Sequence, residues 1–357
     1  MKTRWTEQQV WDWYNALPWL RGCNFIGSDC AGRIDMWQSY GSKQHMETAD
    51  KELALAEKIG FNTIRIIVEF DVWAQEHDAF MDNLESYLTL AAKHRQSVMV
   101  CLAHEAVMCR NVPYTYKPLG KQFCAPGFHQ GRLPLSAEEK AKTPIHALQR
   151  EETREKYLSM VKEIVTKYAQ DNRVLVWNVY NEPGIGVGEK CVSLLNLMFE
   201  AVRSCDPMQP LCADVWTEDD SEKRKAAIAL SDVISYHNYQ PIEKMVPQLE
   251  KIMGEGRPVL MTEWLNRINK CDVREIYPLL YMLRIGSYCW GFVVGKTQTN
   301  EPWDSLWEEY EQNPDLCKCD FTKWQHDLFR PNLRPYDPRE MDILLKYNSM
   351  AVKRETL

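Results

Sequence analysis

Eight short apolar runs punctuate the chain, separated by longer stretches in which apolar positions recur every three to four residues. The runs are residues 22–26, 63–68, 98–102, 174–178, 211–215, 233–237, 259–262 and 288–292. Most are near-continuous rather than alternating, which marks strands covered on both faces, as in a parallel sheet. Between them, Leu53, Ala56 and Ile59 share a face of residues 49–59, and Leu84, Leu88 and Ala91 share one of 81–93. Tyr157, Val161, Ile164 and Tyr168 form a third stripe along 154–168. These spacings predict amphipathic helices packed on a sheet, with Asp50 and Asp82 as first-turn acids.

Eight strands alternating with helices predict an α/β fold, a (β/α)8 TIM barrel. The competing architecture is an open doubly wound sheet, which carries a Gly-rich phosphate turn after its first strand. Gly22, Gly27 and Gly32 do not form that fingerprint. The glycines 184, 186 and 188 come late and behind Pro183, and read as a loop. No Ser/Gly/Pro-rich linker divides the chain, so residues 1–357 are expected to form one catalytic barrel with an N-terminal helical extension over about 1–20. Two connections exceed plain turns. One, about 104–150, follows the third strand and holds Tyr114, Tyr116, Phe123 and Phe128; the other, about 293–337, follows the eighth and holds Trp303, Trp307 and Trp324. Both leave strand C-termini, where barrel enzymes build their sites, so they are expected to wall a cleft.

Composition narrows the function. Of 357 residues 45% are hydrophobic and 26% charged, which suits a globular chain and excludes intrinsic disorder. A net charge of -7 lacks the basic footprint of a nucleic-acid binder. No apolar stretch suits a membrane span. No secretory h-region opens the chain, so a cytoplasmic location with reduced thiols is expected for the 12 cysteines. Their spacings, Cys23/Cys30, Cys101/Cys109 and Cys317/Cys319 among them, match no zinc motif, so neither metal nor cofactor is expected. The 13 Trp fill core or offer flat faces on which sugar rings stack.

In a barrel, polar residues at strand ends point into the catalytic mouth. The fourth strand runs out through Asn178, Asn181, Glu182 and Pro183, and the seventh ends in Glu263 and Trp264. Two glutamates on opposite sides of one mouth form the pair that glycoside hydrolysis needs. One carboxylic acid protonates the leaving oxygen while the other carboxylate attacks the anomeric carbon or activates water.

The chain resembles the clan A glycoside hydrolases, family 5 above all, the cellulase and mannanase family. Asn181-Glu182-Pro183 matches the family's acid/base motif and Glu263 its strand-seven nucleophile. Arg65 resembles the strand-two arginine, His104 the strand-three histidine, His237-Asn238-Tyr239 the His-x-Tyr after strand six, and Trp290 the strand-eight tryptophan. The resemblance implies a retaining β-glycosidase acting on β-linked glucan, mannan or xylan fragments through a covalent glycosyl-enzyme. Glu182 is then protonated at rest and Glu263 ionised, with Arg65 as counter-charge, Tyr239 donating to Glu263, and Asn181 on the 2-hydroxyl. Substrate contacts are expected from Arg65, His104, Asn181, His237, Tyr239, Trp290, Asp35, Trp37 and Trp303. The expected partner is an oligosaccharide or β-glycoside, met by a monomer or small homo-oligomer.

Other readings compete. A transglycosidase shares every residue named. A non-catalytic carbohydrate-binding barrel would not need both glutamates and the arginine. A metal-dependent barrel hydrolase needs ligands converging on one ion. Glu105 adds a third carboxylate near the mouth, outside any motif.

Overall fold

The computed structural model describes residues 3–104, 116–130, 147–185 and 188–355. Eight parallel strands close into a barrel in sequence order: β1 (Arg21–Asn24), β2 (Thr63–Ile67), β3 (Ser97–Cys101), β4 (Val174–Tyr180), β5 (Leu211–Val215), β6 (Ile234–His237), β7 (Val259–Trp264) and β8 (Gly286–Cys289). Nearly every strand residue is buried, because one face packs on helices and the other fills the barrel. The last strand begins two residues before its apolar run, and Trp290 and Phe292 lie just past its end. There, Gly291 takes a positive φ of 76° against Asp327, a backbone turn a side chain could not share.

The N-terminal extension has a structural task. Helix α1 (Glu7–Asn15) starts at a capping box between Thr6 and Gln9. Its Val10 and Tyr14 join Leu20, Met99, Val176, Cys212, Leu260 and Tyr288 in a cluster that plugs the N-terminal end of the barrel. The larger core lies between the strands and the outer helices. Around β1 and β2 the chain adds α2 (Arg33–Trp37), α3 (Ser42–Lys58), α4 (Phe70–Gln75) and α5 (His77–Lys93). Helices α6 (Glu151–Tyr168), α7 (Cys191–Ser204), α8 (Glu222–Leu230), α9 (Ile242–Met253) and α10 (Val273–Met282) follow. The long connection after β8 carries α11 (Asp304–Gln312) before the closing α12 (Pro338–Glu355).

The predicted stripes are buried as expected on α3, α5 and α6. Both proposed first-turn acids are corrected. Asp50 lies inside the 17-residue α3, where it accepts from Lys93 Nζ (2.7 Å) and pairs with His94, and Asp82 lies beyond the first turn of α5. The amphipathic stripe located the packed face but not the polar residues that extend each helix toward its N-terminus.

Register shifts interrupt the β4–β5, β6–β7 and β7–β8 ladders at Asn178/Tyr180, Tyr236/His237 and Met261/Trp264. A bulge bends its strand and re-aims the side chains beside it. All three fall toward the C-terminal rim, beside Asn178, His237 and Glu263.

Candidate active site

Arg65 is the centre of the rim. Its guanidinium is fully buried in the barrel and uses every face of its donor fork. Nη1 donates to Glu263 Oε1 (2.9 Å) and Asn24 Oδ1 (2.7 Å). Nη2 donates to Asn178 Oδ1 (2.7 Å), Asn181 Oδ1 (2.6 Å) and Asp214 Oδ2 (2.8 Å). Four strands are tied through one cation, which orients both Asn181 and Glu263. Arg65 thus faces the carboxylates rather than open space, and its expected substrate contact is corrected to a positioning one.

Glu263 accepts a second bond from Tyr239 O–H at 2.7 Å. His237 lies between the two glutamates: Nδ1 is 2.8 Å from Glu182 Oε1 and 3.5 Å from Glu263 Oε2. Its Nε2 faces Asp214 Oδ2 at 3.2 Å. A carboxylate oxygen of Glu182, one of Glu263 and a ring nitrogen of His237 all lie within 4.8 Å of one another. Opposite Glu182, Asn181 Nδ2 and His104 Nδ1 are 3.1 Å apart, and the two residues form an isolated parallel bridge. Glu182 itself has a left-handed φ of 43°, unusual for a non-glycine and doubly so before proline. Such backbone persists where neighbours over-determine it, and it aims the side chain across the mouth.

Electrostatics follow from this packing. Burial works against charge on His237, but Glu263 and Asp214 outweigh it and hold its pKa up to about 10. Burial also raises Asp214, yet His237 and Arg65 bring it down to about 2. Burial pushes Glu263 above the usual carboxylate range, reinforced by Glu182 and opposed by His237, Arg65 and Tyr239. The result is a buried Arg65⁺/Asp214⁻/His237⁺ scaffold under two carboxylates.

The mouth opens into a cavity of about 680 Å³, within the range for small-molecule sites. Glu182, Glu263, Asn181, His104, Tyr239, Trp290 and Trp303 line it, joined by Arg33, Ile34, Glu69, Lys117, Gln122, Phe128 and His129. Trp303 stacks edge-on against Tyr239 at 5.0 Å between ring centroids. The buried Trp290 Nε1 has no hydrogen-bond partner among the described residues.

Two expected contacts are corrected. Trp37 is fully buried, donates Nε1–H to the Ile67 carbonyl (2.9 Å) and packs on Phe80 and Tyr87. Asp35 accepts from Ala31 N (2.8 Å) and Gln38 Nε2 (2.8 Å), fixing the loop after β1. The cavity is met instead by their neighbours Arg33 and Ile34, because the short α2 turns residues 35 and 37 into the core. Glu105 and Tyr114 lie outside the described residues.

The sequence reading missed Asp214 and Asn24 and gave Asn178 no role; together they form the polar floor. Asp214 carried a signal in hindsight: a lone carboxylate inside an apolar strand run demands a buried partner. Glu182, His237 and Glu263 also place one potential ligand atom each within 4.8 Å of the others. The described residues place two other small donor groups close together, Asp29/Cys30/His45 and Glu309/Cys317/Cys319. The described cysteines are free thiols.

Residues 23–276 match the family model for cellulase, glycosyl hydrolase family 5. The chain belongs to glycosyl hydrolase family 5. It is thus a glycosidase built on a (β/α)8 barrel. No curated protein sequence matches this family 5 chain. Among solved structures it is similar to the family 5 mannosidase of Rhizomucor miehei, with 12% identity, 95% of this chain and 94% of that one covered, and a TM-score of 0.57. It is also similar to the endo-β-1,4-mannanase of Thermotoga petrophila, with 14% identity, 95% and 78% covered, and a TM-score of 0.54. A third is the β-1,4-mannanase of the sea hare Aplysia kurodai, with 13% identity, 76% and 87% covered, and a TM-score of 0.52. At such identities the likeness speaks to the fold. No helix among the described residues is long and apolar enough to cross a membrane.

Proposed function

We propose that this family 5 member is a retaining β-glycosidase with Glu263 as nucleophile and Glu182 as acid/base. The observation that carries the reading is the separation of the two carboxylates, whose oxygens approach within 4.8 Å. Retaining pairs lie about 5–5.5 Å apart, whereas inverting pairs stand about 6.5–9.5 Å apart to admit a water. In the first step a Glu263 oxygen attacks the anomeric carbon. The glycosidic bond breaks, and its electron pair stays on the leaving oxygen, which takes the proton from Glu182. Water then gives a proton to Glu182 and attacks the same carbon, releasing Glu263.

Arg65 and Tyr239 support the ionised nucleophile by donating to one oxygen each. Asn181, held by Arg65, is placed to meet the 2-hydroxyl, and Trp290 lies beneath the reacting ring. β-Linked glycosides or oligosaccharides of the glucan, mannan or xylan type are the substrate class. β-Mannosides are the first to try, since the similar folds above bear mannanase and mannosidase names.

The test is Glu263→Gln with an aryl β-glycoside panel. Turnover should fall by several orders of magnitude while the circular dichroism spectrum is kept. A 2-deoxy-2-fluoro glycoside should label Glu263 in the wild type, read by peptide mass. Undiminished turnover in the variant, or a label elsewhere, sinks the assignment.

A further inference from the structure

The inward row of β2 continues past its catalytic residue. Side chains two apart on extended backbone share a face, so Arg65, Ile67 and Glu69 rise in line toward the mouth. Glu69 keeps extended backbone (φ -128°, ψ 111°), which puts it roughly 13 Å along the strand from Arg65. It is 6% exposed and gripped by two cations: Lys117 Nζ lies 2.9 Å from Oε1 and Arg33 Nε 3.2 Å from Oε2. Lys117 Nζ also stands 3.4 Å from Asp71 Oδ2. Burial works to raise the Glu69 pKa, but Lys117 and Arg33 bring it down to about 2, so the cluster stays charged. Nothing in the double displacement uses it, yet Arg33, Glu69 and Lys117 line the same cavity as Glu182 and Glu263.

The segment carrying Lys117 is fastened as a barrier. Lys117 N donates to Asp71 Oδ1 (3.1 Å), and Gln75 Nε2 donates to the Lys117 carbonyl (2.9 Å). Gly120 exchanges two hydrogen bonds with the Gln38 amide, 2.6 Å from its N–H and 2.8 Å to its carbonyl. The loops after β1, β2 and β3 are thereby stitched together. In barrel order, the line from Glu182 on β4 to Glu263 on β7 separates these loops and β8 from β5 and β6. Most of the lining, Trp290 included, is on the β8-to-β3 side. The ring at the reacting carbon needs the densest contacts, so that enclosed half holds the sugar being released and the leaving group points the other way.

We propose that the Arg33–Glu69–Lys117 cluster is the end wall of this half and binds the hydroxyls of a non-reducing chain terminus, so that the enzyme attacks β-linked chains from their ends. A carboxylate flanked by an ammonium and a guanidinium offers one acceptor between donors, the complement of neighbouring sugar hydroxyls. The inference rests on the hydrolase reading above.

The test uses the full chain with β-1,4-linked oligosaccharides, free or capped as an acetal at the non-reducing end, and with a dyed cross-linked polysaccharide. The expected result is one short product of fixed length from the earliest times, no cleavage of the capped chains and no release of dye. Early products of mixed length, cut capped chains or released dye overturn the end wall while leaving the hydrolase intact. No cleavage of any β-glycoside, free or capped, overturns the hydrolase reading and this one with it. Glu69→Gln and Lys117→Met should each raise KM on free-ended chains about ten- to a hundredfold and leave kcat within a few-fold. An unchanged KM makes the cluster purely structural and refutes the proposal.

Discussion

Asp214→Asn is the sharpest test of the scaffold beneath the carboxylates. The substitution preserves shape but removes a buried charge that faces Arg65 Nη2 at 2.8 Å and His237 Nε2 at 3.2 Å, and that accepts from Asn178 Nδ2 (2.8 Å) and Ser235 Oγ (2.5 Å). Breaking a buried ion pair by removing one partner costs about 3–5 kcal/mol. The protonation of His237 makes stability depend on pH. Its folded pKa of about 10, against an ordinary 6.5, corresponds to about 5 kcal/mol of stability linked to its protonation. Because the folded value is raised, that stability is fully present below about pH 6.5 and is lost as pH climbs through 10. Of the charged neighbours of His237, Glu263, Asp214 and Glu182 favour its protonated form. Without Asp214, its titration should fall toward the ordinary value. Two measurements check this. Urea unfolding at pH 6 and pH 9 should show the variant less stable at both, with the larger deficit at pH 6, where the protonation of His237 contributes in full. The basic limb of kcat against pH should move toward neutrality, with KM little changed at pH 6. If the limb and the unfolding midpoints match the wild type, Asp214 does not position His237.

Four further outcomes follow from the same geometry. Glu263 is raised by burial and by Glu182, so the acidic limb of kcat/KM should lie above the ordinary carboxylate value of about 4.3. Tyr239→Phe removes the 2.7 Å bond to Glu263 and should lower kcat about ten- to a hundredfold, measured with an aryl glycoside. Trp37→Ala should cost about 3–5 kcal/mol in denaturant unfolding and leave KM unchanged at a temperature where the variant stays folded; a raised KM would restore Trp37 to the substrate site. Burial lifts the carboxyl of Glu52 to about 7, so its folding penalty sets in above the ordinary value of about 4.3 and is complete near pH 7; Glu52→Gln should stabilise the protein by about 3 kcal/mol at pH 8 and by only about 1 kcal/mol at pH 5.

Much of this molecule was legible along the chain. The eight apolar runs marked the barrel because a strand covered on both faces has no polar period to hide it. The two glutamates were legible because polar side chains at the ends of such runs have only the mouth to enter. Where local rules met tertiary packing, they failed. Trp37 and Asp35 looked like a polar, aromatic rim, and only the short α2 shows that they turn inward while Arg33 and Ile34 meet the cavity. Asp214 passed unnoticed because its partners, Arg65 and His237, are far away in sequence. The Arg33–Glu69–Lys117 cluster joins three loops with no common motif. Periodicity and strand-end chemistry are properties of neighbouring residues and follow from covalent spacing. Closing the barrel is what brings β1, β4, β5 and β7 around the arginine of β2, and burial there sets the charges that a linear reading leaves open.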